Sequence, residues 1–157
     1  IVGKNCLLMA YVHIGHDCVL GDKVIMANNA SVAGHVVVGD YANFGGYSGV
    51  PQFRSIGENT HIAAMSLVTK DVPAFMTVAG NPASAVGLNL EGMRRRDFSA
   101  DALAALKESH KIVYRSGLTK NKALIQLAEF RSKFSEVEKF ARSIESSESG
   151  IVRGRSH

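Results

Sequence analysis

Every sixth residue in the first half of this chain is apolar. Counting from Val2, the positions are Val2, Leu8, Ile14, Leu20, Met26, Val32, Val38, Phe44, Val50, Ile56, Ile62 and Val68. Against a hydrophobic content of 46%, such an unbroken series has a chance of about 10⁻⁴. The next residue is small in most hexads (Gly3, Gly15, Gly21, Ala27, Ala33, Gly39, Gly45, Gly57, Ala63). Four residues after the apolar one, side chains are again mostly small or Val: Cys6, Val12, Cys18, Val24, Ala30, Val36, Ala42, Ser48. A period of six suits neither a helix, repeating every 3.6 residues, nor a long strand, repeating every 2. It suits a triangular parallel β-helix in which each hexad supplies one short strand and one corner. Three hexads then close a wrap of 18 residues. The aliphatic column points into the prism, and the small residues are expected to permit tight corners. Successive coils would pair at about 4.8 Å.

The repeat stops near Val72, and Pro73 and Gly80-Asn81-Pro82 break it. From Leu88 the periodicity becomes helical. Ser99 is a good N-cap, with Asp101 in the first turn and Leu103, Leu106, His110, Val113 and Tyr114 at helical spacing; Gly117 is a natural stop. A second helix is expected from a Thr119 cap through Leu124, Leu127, Ala128 and Arg131, and a third from Ser135 through Val137, Phe140 and Ile144. The expected organisation is a β-helix over 1–80, a small helical domain over 81–150, and a flexible tail over 151–157, with fraying from Ser146. The chain starts in mid-repeat and without Met, which points to upstream coils outside this sequence.

The 18-residue wrap turns sequence into geometry. His16, Gly34 and Gln52 fall in one column, Asp17, His35 and Phe53 in the next, and His13 stacks on Ser31. His13, His16, Asp17, Gly34, His35 and Gln52 therefore converge on one edge. A general base needs an imidazole with a partner that fixes its orientation, and His16 beside Asp17 supplies both types. A tetrahedral intermediate needs a backbone N–H free to approach, which Gly34 could offer. Three histidines are also a respectable zinc set, so a metal-dependent hydratase of the carbonic anhydrase kind stands as an alternative of a different class. A purely structural β-helix is a third.

Composition narrows the field further. The longest conspicuous apolar run, Cys6 to Val12, has seven residues, against roughly 18 for a bilayer span; no stable membrane insertion is expected, and no signal-peptide pattern is present. Cys6 and Cys18 lie on different faces of the prism, which argues against a disulfide and fits a reducing, cytoplasmic compartment. Residues 1–80 carry four Lys/Arg and five Asp/Glu, whereas 81–157 carry fourteen and nine. The basic half could receive an acidic partner or a phosphorylated substrate.

Several segments resemble the acyl-carrier-protein-dependent UDP-N-acetylglucosamine O-acyltransferases of lipid A biosynthesis. They are His13-Ile-Gly-His16-Asp17-Cys18, Ala27-Asn28-Asn29-Ala30, Ala33-Gly34-His35-Val36, Gln52-Phe53, Gly87-Leu-Asn89-Leu-Glu91-Gly92-Met-Arg-Arg95-Arg96-Asp-Phe98 and Tyr114-Arg115-Ser116-Gly117. The resemblance implies a left-handed parallel β-helix, followed by the helical domain, in a homotrimer with sites between neighbouring prisms. It implies transfer of a 3-hydroxyacyl chain from acyl carrier protein to the 3-hydroxyl of UDP-N-acetylglucosamine. His16 would be the base, Asp17 its orienting partner and Gly34 the oxyanion donor. His13, His35 and Gln52 would position the sugar nucleotide; Asn89, Glu91, Arg95 and Arg96 would contact its nucleotide and phosphates, and Arg suits bidentate phosphate binding. Ala64 and Met65 would border the acyl cleft. No metal or resident cofactor is implied; 4'-phosphopantetheine arrives on the carrier protein. No nucleic-acid partner is expected. An N-acyltransferase on a related amino-sugar nucleotide is the nearest rival. Pro51 and Pro82 stand where the family commonly has His, which is expected to remove one substrate contact and to alter a nucleotide contact.

Overall fold

The computed structural model describes residues 1–155. Ten two-residue strands wind through the first part of the chain: β1 Leu7–Leu8, β2 His13–Ile14, β3 Val19–Leu20, β4 Ile25–Met26, β5 Ser31–Val32, β6 Val37–Val38, β7 Asn43–Phe44, β8 Gly49–Val50, β9 Ser55–Ile56 and β10 His61–Ile62. They form three parallel sheets, β1-β4-β7-β10, β2-β5-β8 and β3-β6-β9, each strand pairing with the one three places on. The register advances by one full wrap at every pairing of these strands, as in Leu7↔Ile25, His13↔Ser31 and Val19↔Val37. This is the expected parallel β-helix. Leu20, Met26, Val32, Val38, Phe44, Val50, Ile56, Ile62 and Val68 are buried along its axis.

The corners work differently from the expectation. The left-handed backbone conformation falls on Asn5, Tyr11, Asp17, Lys23, Asn29, His35, Tyr41, Tyr47, Phe53, Asn59 and Met65, all with φ between 53° and 64°. None of these is glycine. The repeated glycines sit two residues ahead of them, with ordinary φ, where adjacent coils nearly touch. A Cβ on Gly45 would lie 2.3 Å from Ala64 N, and one on Gly15 would lie 2.6 Å from Gly34 N. The small residues are there for close approach rather than for torsional freedom. Inter-coil hydrogen bonds hold the N–H of each left-handed corner residue from Lys23 to Met65, such as Tyr41 N to Asp22 O at 2.9 Å and His35 N to His16 O at 2.9 Å.

The last wrap is short. His61 pairs with Thr77 rather than with Ala79, while Gly49 still pairs with Leu67 in the regular register. The missing residues fall at the corner around Lys70-Asp71. Beyond it, β11 (Met76–Gly80) joins β10 in parallel and β12 (Ala83–Leu88) folds back antiparallel on β11. The break at Gly80-Asn81-Pro82 is thus a hairpin turn, and the sheet continues past it to six strands.

The helices are α1 Leu90–Arg95, α2 Ala100–Tyr114, α3 Lys120–Gln126, α4 Ala128–Lys133 and α5 Ser135–Glu145. Ser99 and Thr119 cap α2 and α3 as expected, each side chain accepting from the N–H three residues on. Gly117 is left-handed at φ 65°. The expected second helix is divided at Leu127, and the third opens at Ser135 as expected. Met93, Leu106, Leu127, Phe140 and Ile144 form the helical core. Helix α5 docks on the prism through Ser143 Oγ, which accepts from Ala74 N at 3.0 Å, and a Lys139–Glu58 ion pair at 3.1 Å.

The stretch from Ser146 does not fray. Ser147 Oγ donates to Asp71 Oδ2 at 2.6 Å, Val152 N donates to Asp71 O at 2.8 Å, and Tyr114 Oη donates to Val152 O at 3.0 Å. Ile151 and Val152 are buried. The shortened corner at Asp71 is what this strap fills. Positions 156 and 157 of the expected tail lie outside the described residues.

Because Gly45 faces backbone, Gly45→Ala should destabilise the protein by about 1–3 kcal/mol through overpacking. Gly49→Ala, whose Cβ would meet only the end of Leu67 at 3.5 Å, should cost clearly less. Denaturant unfolding of the two variants checks the contrast.

Candidate active site

The column geometry places the histidines as the spacing required. His16 and Asp17 occupy one corner, Gly34 and His35 the same corner one coil on, and Gln52 and Phe53 the next. His16 Nδ1 and Asp17 Oδ2 are 2.9 Å apart, and His35 Nε2 lies 3.7 Å from the same oxygen. The His16 and His35 rings meet edge to face at 4.9 Å, and His35 stacks on Phe53 at 4.7 Å. His13 projects from β2 on the adjoining face and is exposed, as is Gln52.

This corner is a ridge. The side chains of His16 and Asp17 are 72% and 68% exposed, so one prism alone gives no cleft around them. The hydrogen bond from His16 and the nearby His35 together hold the Asp17 carboxyl below its usual range. An ionised Asp17 accepting from Nδ1–H leaves the His16 lone pair on Nε2, directed away from the carboxylate. That nitrogen lies 2.7 Å from where a Cβ on Gly34 would stand, so any side chain at position 34 would collide with the imidazole. At the corner carrying Lys4 and Asp22, the equivalent N–H groups donate to Asp22 and Asp40 carboxylates at 2.7 and 2.8 Å. Among the described residues the Gly34 N–H has no such acceptor.

Asn89, Glu91, Arg95 and Arg96 are elsewhere. They line a cavity of about 630 Å³ between α1 and the outer surface of the six-stranded sheet, with Ile25, Asn43, His61 and Thr77 as its floor. The structure sorts these polar groups by what they already touch. Asn89 caps α1 by accepting from Gly92 N at 3.2 Å, while its Nδ2 donates to Asn59 O at 3.0 Å. Arg95 pairs with Glu91 at 2.6 Å. Arg96 stacks its guanidinium 3.3 Å from the centre of the Tyr41 ring, and Lys23 Nζ donates to Tyr41 Oη at 3.1 Å. The Lys23 hydrogen bond, with the Arg96 charge, lowers the Tyr41 phenol from its ordinary value. Lys23 and Tyr41 were missed in the sequence, although they stand one full wrap apart and the stacking rule places one over the other.

Ala64 and Met65 occupy the third corner, where Met65 N donates to Gly46 O at 2.9 Å. Both are exposed, Met65 by 70%. The residues named from sequence therefore fall into three groups on one chain. The histidine corner joins the β2-β5-β8 and β3-β6-β9 sheets, and the cavity lies on the sheet opposite to it.

Stacked hexapeptide coils bearing a His-Asp pair define a hexapeptide-repeat transferase, and residues 1–34 match the family model for bacterial transferase hexapeptides. Residues 71–152 match the second domain of UDP-N-acetylglucosamine O-acyltransferase, and the chain belongs to that family. It is 51% identical over 152 residues to the acyl-[acyl-carrier-protein]–UDP-N-acetylglucosamine O-acyltransferase of Ectopseudomonas mendocina, covering 97% of this chain and 59% of the relative. The corresponding Thiobacillus denitrificans protein is 48% identical over the same shares. The Acinetobacter baumannii LpxA structure superposes with a TM-score of 0.94 at 45% identity, covering 97% of this chain and 59% of that one. The Campylobacter jejuni UDP-N-acetylglucosamine acyltransferase does so at 0.87 and 31%, covering 98% and 70%. The chain thus spans about three-fifths of the length of the curated relatives it matches.

If Asp17 fixes the imidazole as described, neutral His16 carries its proton on Nδ1 in the native protein. Asp17→Asn should erase that preference. The ¹⁵N shifts of the His16 ring nitrogens report it directly, and an unchanged tautomer in the variant would refute the assignment.

Proposed function

We propose that the protein transfers a 3-hydroxyacyl chain from acyl carrier protein to the 3-hydroxyl of UDP-N-acetylglucosamine, the reaction class for which its relatives are named. One observation carries the reading: the His16–Asp17 pair stands against a glycine whose backbone N–H has no acceptor among the described residues. His16 Nε2 takes the proton of the sugar hydroxyl as its oxygen attacks the thioester carbonyl. The Gly34 N–H receives the negative charge that develops on the carbonyl oxygen. Collapse expels the carrier's thiolate, which takes the proton back from His16. The relatives' names favour an oxygen acceptor over nitrogen.

The division of the site supports an assembly. A sugar nucleotide cannot reach the histidine corner and the α1 cavity of the same prism, because they lie on opposite sides of it. A neighbouring copy that sets its cavity beside this corner completes the site, which supports a homotrimer with composite sites between chains. Arg95, Arg96 and Lys23 then hold the diphosphate, Glu91 and Asn89 flank the nucleotide, and Gln52, His13 and His35 position the sugar. Arg95 must exchange Glu91 for phosphate; an exposed ion pair of this kind is worth only about 0–1 kcal/mol, so the exchange is easy. Ala64 and Met65 border the acyl chain from the third corner. The surplus of basic groups in the second half of the chain suits an acidic carrier protein. No resident cofactor enters the scheme. A cytoplasmic setting is consistent with free Cys6 and Cys18, and no helix among the described residues is long and apolar enough to cross a membrane.

His16→Ala in the full-length protein should lower kcat by about 10²–10⁴-fold with thermal unfolding unchanged. The assay supplies UDP-N-acetylglucosamine and 3-hydroxyacyl carrier proteins and reads product by mass spectrometry. Undiminished turnover in the variant would overturn the base assignment.

A further inference from the structure

The histidine corner offers more than a base. His16, Asp17 and His35 each present one ligand atom, and these atoms lie within 4.8 Å of one another. Two imidazole nitrogens and a carboxylate oxygen are a donor set that zinc and its neighbours in the first transition series accept readily. A tetrahedral ion with bonds of about 2.0–2.1 Å has neighbouring ligands about 3.3 Å apart. The two contacts at Asp17 Oδ2, 2.9 Å to His16 Nδ1 and 3.7 Å to His35 Nε2, straddle that value. The third edge, between the two imidazoles, is bounded only at 4.8 Å, so closing on an ion takes a rotation of the exposed rings as well as a turn of the carboxylate.

The ligands are also held in place. Asp17 and His35 are both left-handed corner residues, at φ 58° and 60°, and the ladder bond from His35 N to His16 O locks their coils together. Phe53 stacks on His35 with its plane tilted by 10°. Gly34 puts no side chain on the remaining side, and all three ligand side chains open to solvent, so an ion can enter and keep water in its fourth position.

We propose that this corner binds a zinc-class divalent ion and that the bound ion switches the proposed reaction off. The reason lies in the imidazole. Coordination through Nδ1 takes the nitrogen that donates to Asp17, and a neutral ring must then carry its proton on Nε2. The atom that should accept the sugar's proton becomes a donor. Inhibition follows from the tautomer itself, even where the substrate still fits. The switch rests on the acyltransferase reading; the binding does not.

The test uses full-length protein without an affinity tag, stripped of metal and titrated with Co²⁺ as a visible-absorbing probe, then with Zn²⁺ in competition. One ion per chain is expected. Asp17→Asn and His35→Ala should each weaken binding by more than about 100-fold, beyond the roughly 10–100-fold lost with a merely supporting contact, and His110→Ala, on α2, should not change it. Micromolar Zn²⁺ should stop acyl transfer, and a chelator should restore it. Absence of saturable uptake, or uptake indifferent to Asp17→Asn and His35→Ala, overturns the site. Uptake at this corner with transfer undiminished overturns the switch. Uptake at this corner by metal-free protein that performs no acyl transfer supports the site and counts against the acyltransferase reading instead.

Discussion

The inter-coil backbone ladder governs this molecule. Each short strand bonds to the one a full wrap away, and the corner residues do the same, as Asn59 N does to Asp40 O at 2.8 Å and Phe53 N to Gly34 O at 3.1 Å. The ladder fixes the register, and the register converts a spacing of one wrap into direct adjacency. Slippage by one residue would turn the aliphatic column outward. The glycine column allows the coils to approach closely enough for the bonds to form. A functional side chain placed on a corner therefore inherits the precision of the sheet. His16, Asp17 and His35 need no loop to position them.

Periodicity decided how much could be read in advance. The β-helix, its buried column and the convergence of His16, Asp17, Gly34, His35 and Gln52 all follow from counting, because every coil repeats the same environment. The parts that escaped are those where the environment stops repeating. The shortened wrap at Asp71, the hairpin into β12 and the helix after Asn89 depend on single contacts with no spacing signature. The strap from Ser147 to Val152 looked like a polar tail; the buried Asp71 carboxylate, which no repeat predicts, is what orders it. The small residues were recognised as what permits tight corners, but the left-handed residue two places after them was not, since sequence shows size and not φ. Helix signals fared well at the starts, with side-chain caps at Ser99 and Thr119 and α5 opening at Ser135 without one, and poorly at Leu127, where the expected second helix is divided.

The candidate site shows the same division. Spacing could assemble the corner but could not say where Asn89, Glu91, Arg95 and Arg96 lie relative to it, since these come after the repeat ends. The fold puts them on the side of the prism opposite to the corner, and that separation gives the proposed reaction its dependence on assembly. It also distinguishes the roles of the arginines. Arg96 is already held on the Tyr41 ring, Arg95 is held by Glu91, and Arg94 has no ion-pair partner among the described residues.

The central claim, that chemistry occurs between the corner of one chain and the cavity of another, can be tested by subunit mixing. Full-length His16→Ala and Arg96→Ala subunits, each inactive alone, would be co-expressed and purified as mixed assemblies, and their acyl transfer measured. Composite sites predict recovery of about a quarter of wild-type sites under random mixing, since an intact corner then meets an intact cavity across some interfaces. No recovery in assemblies shown to contain both subunits would contradict the account.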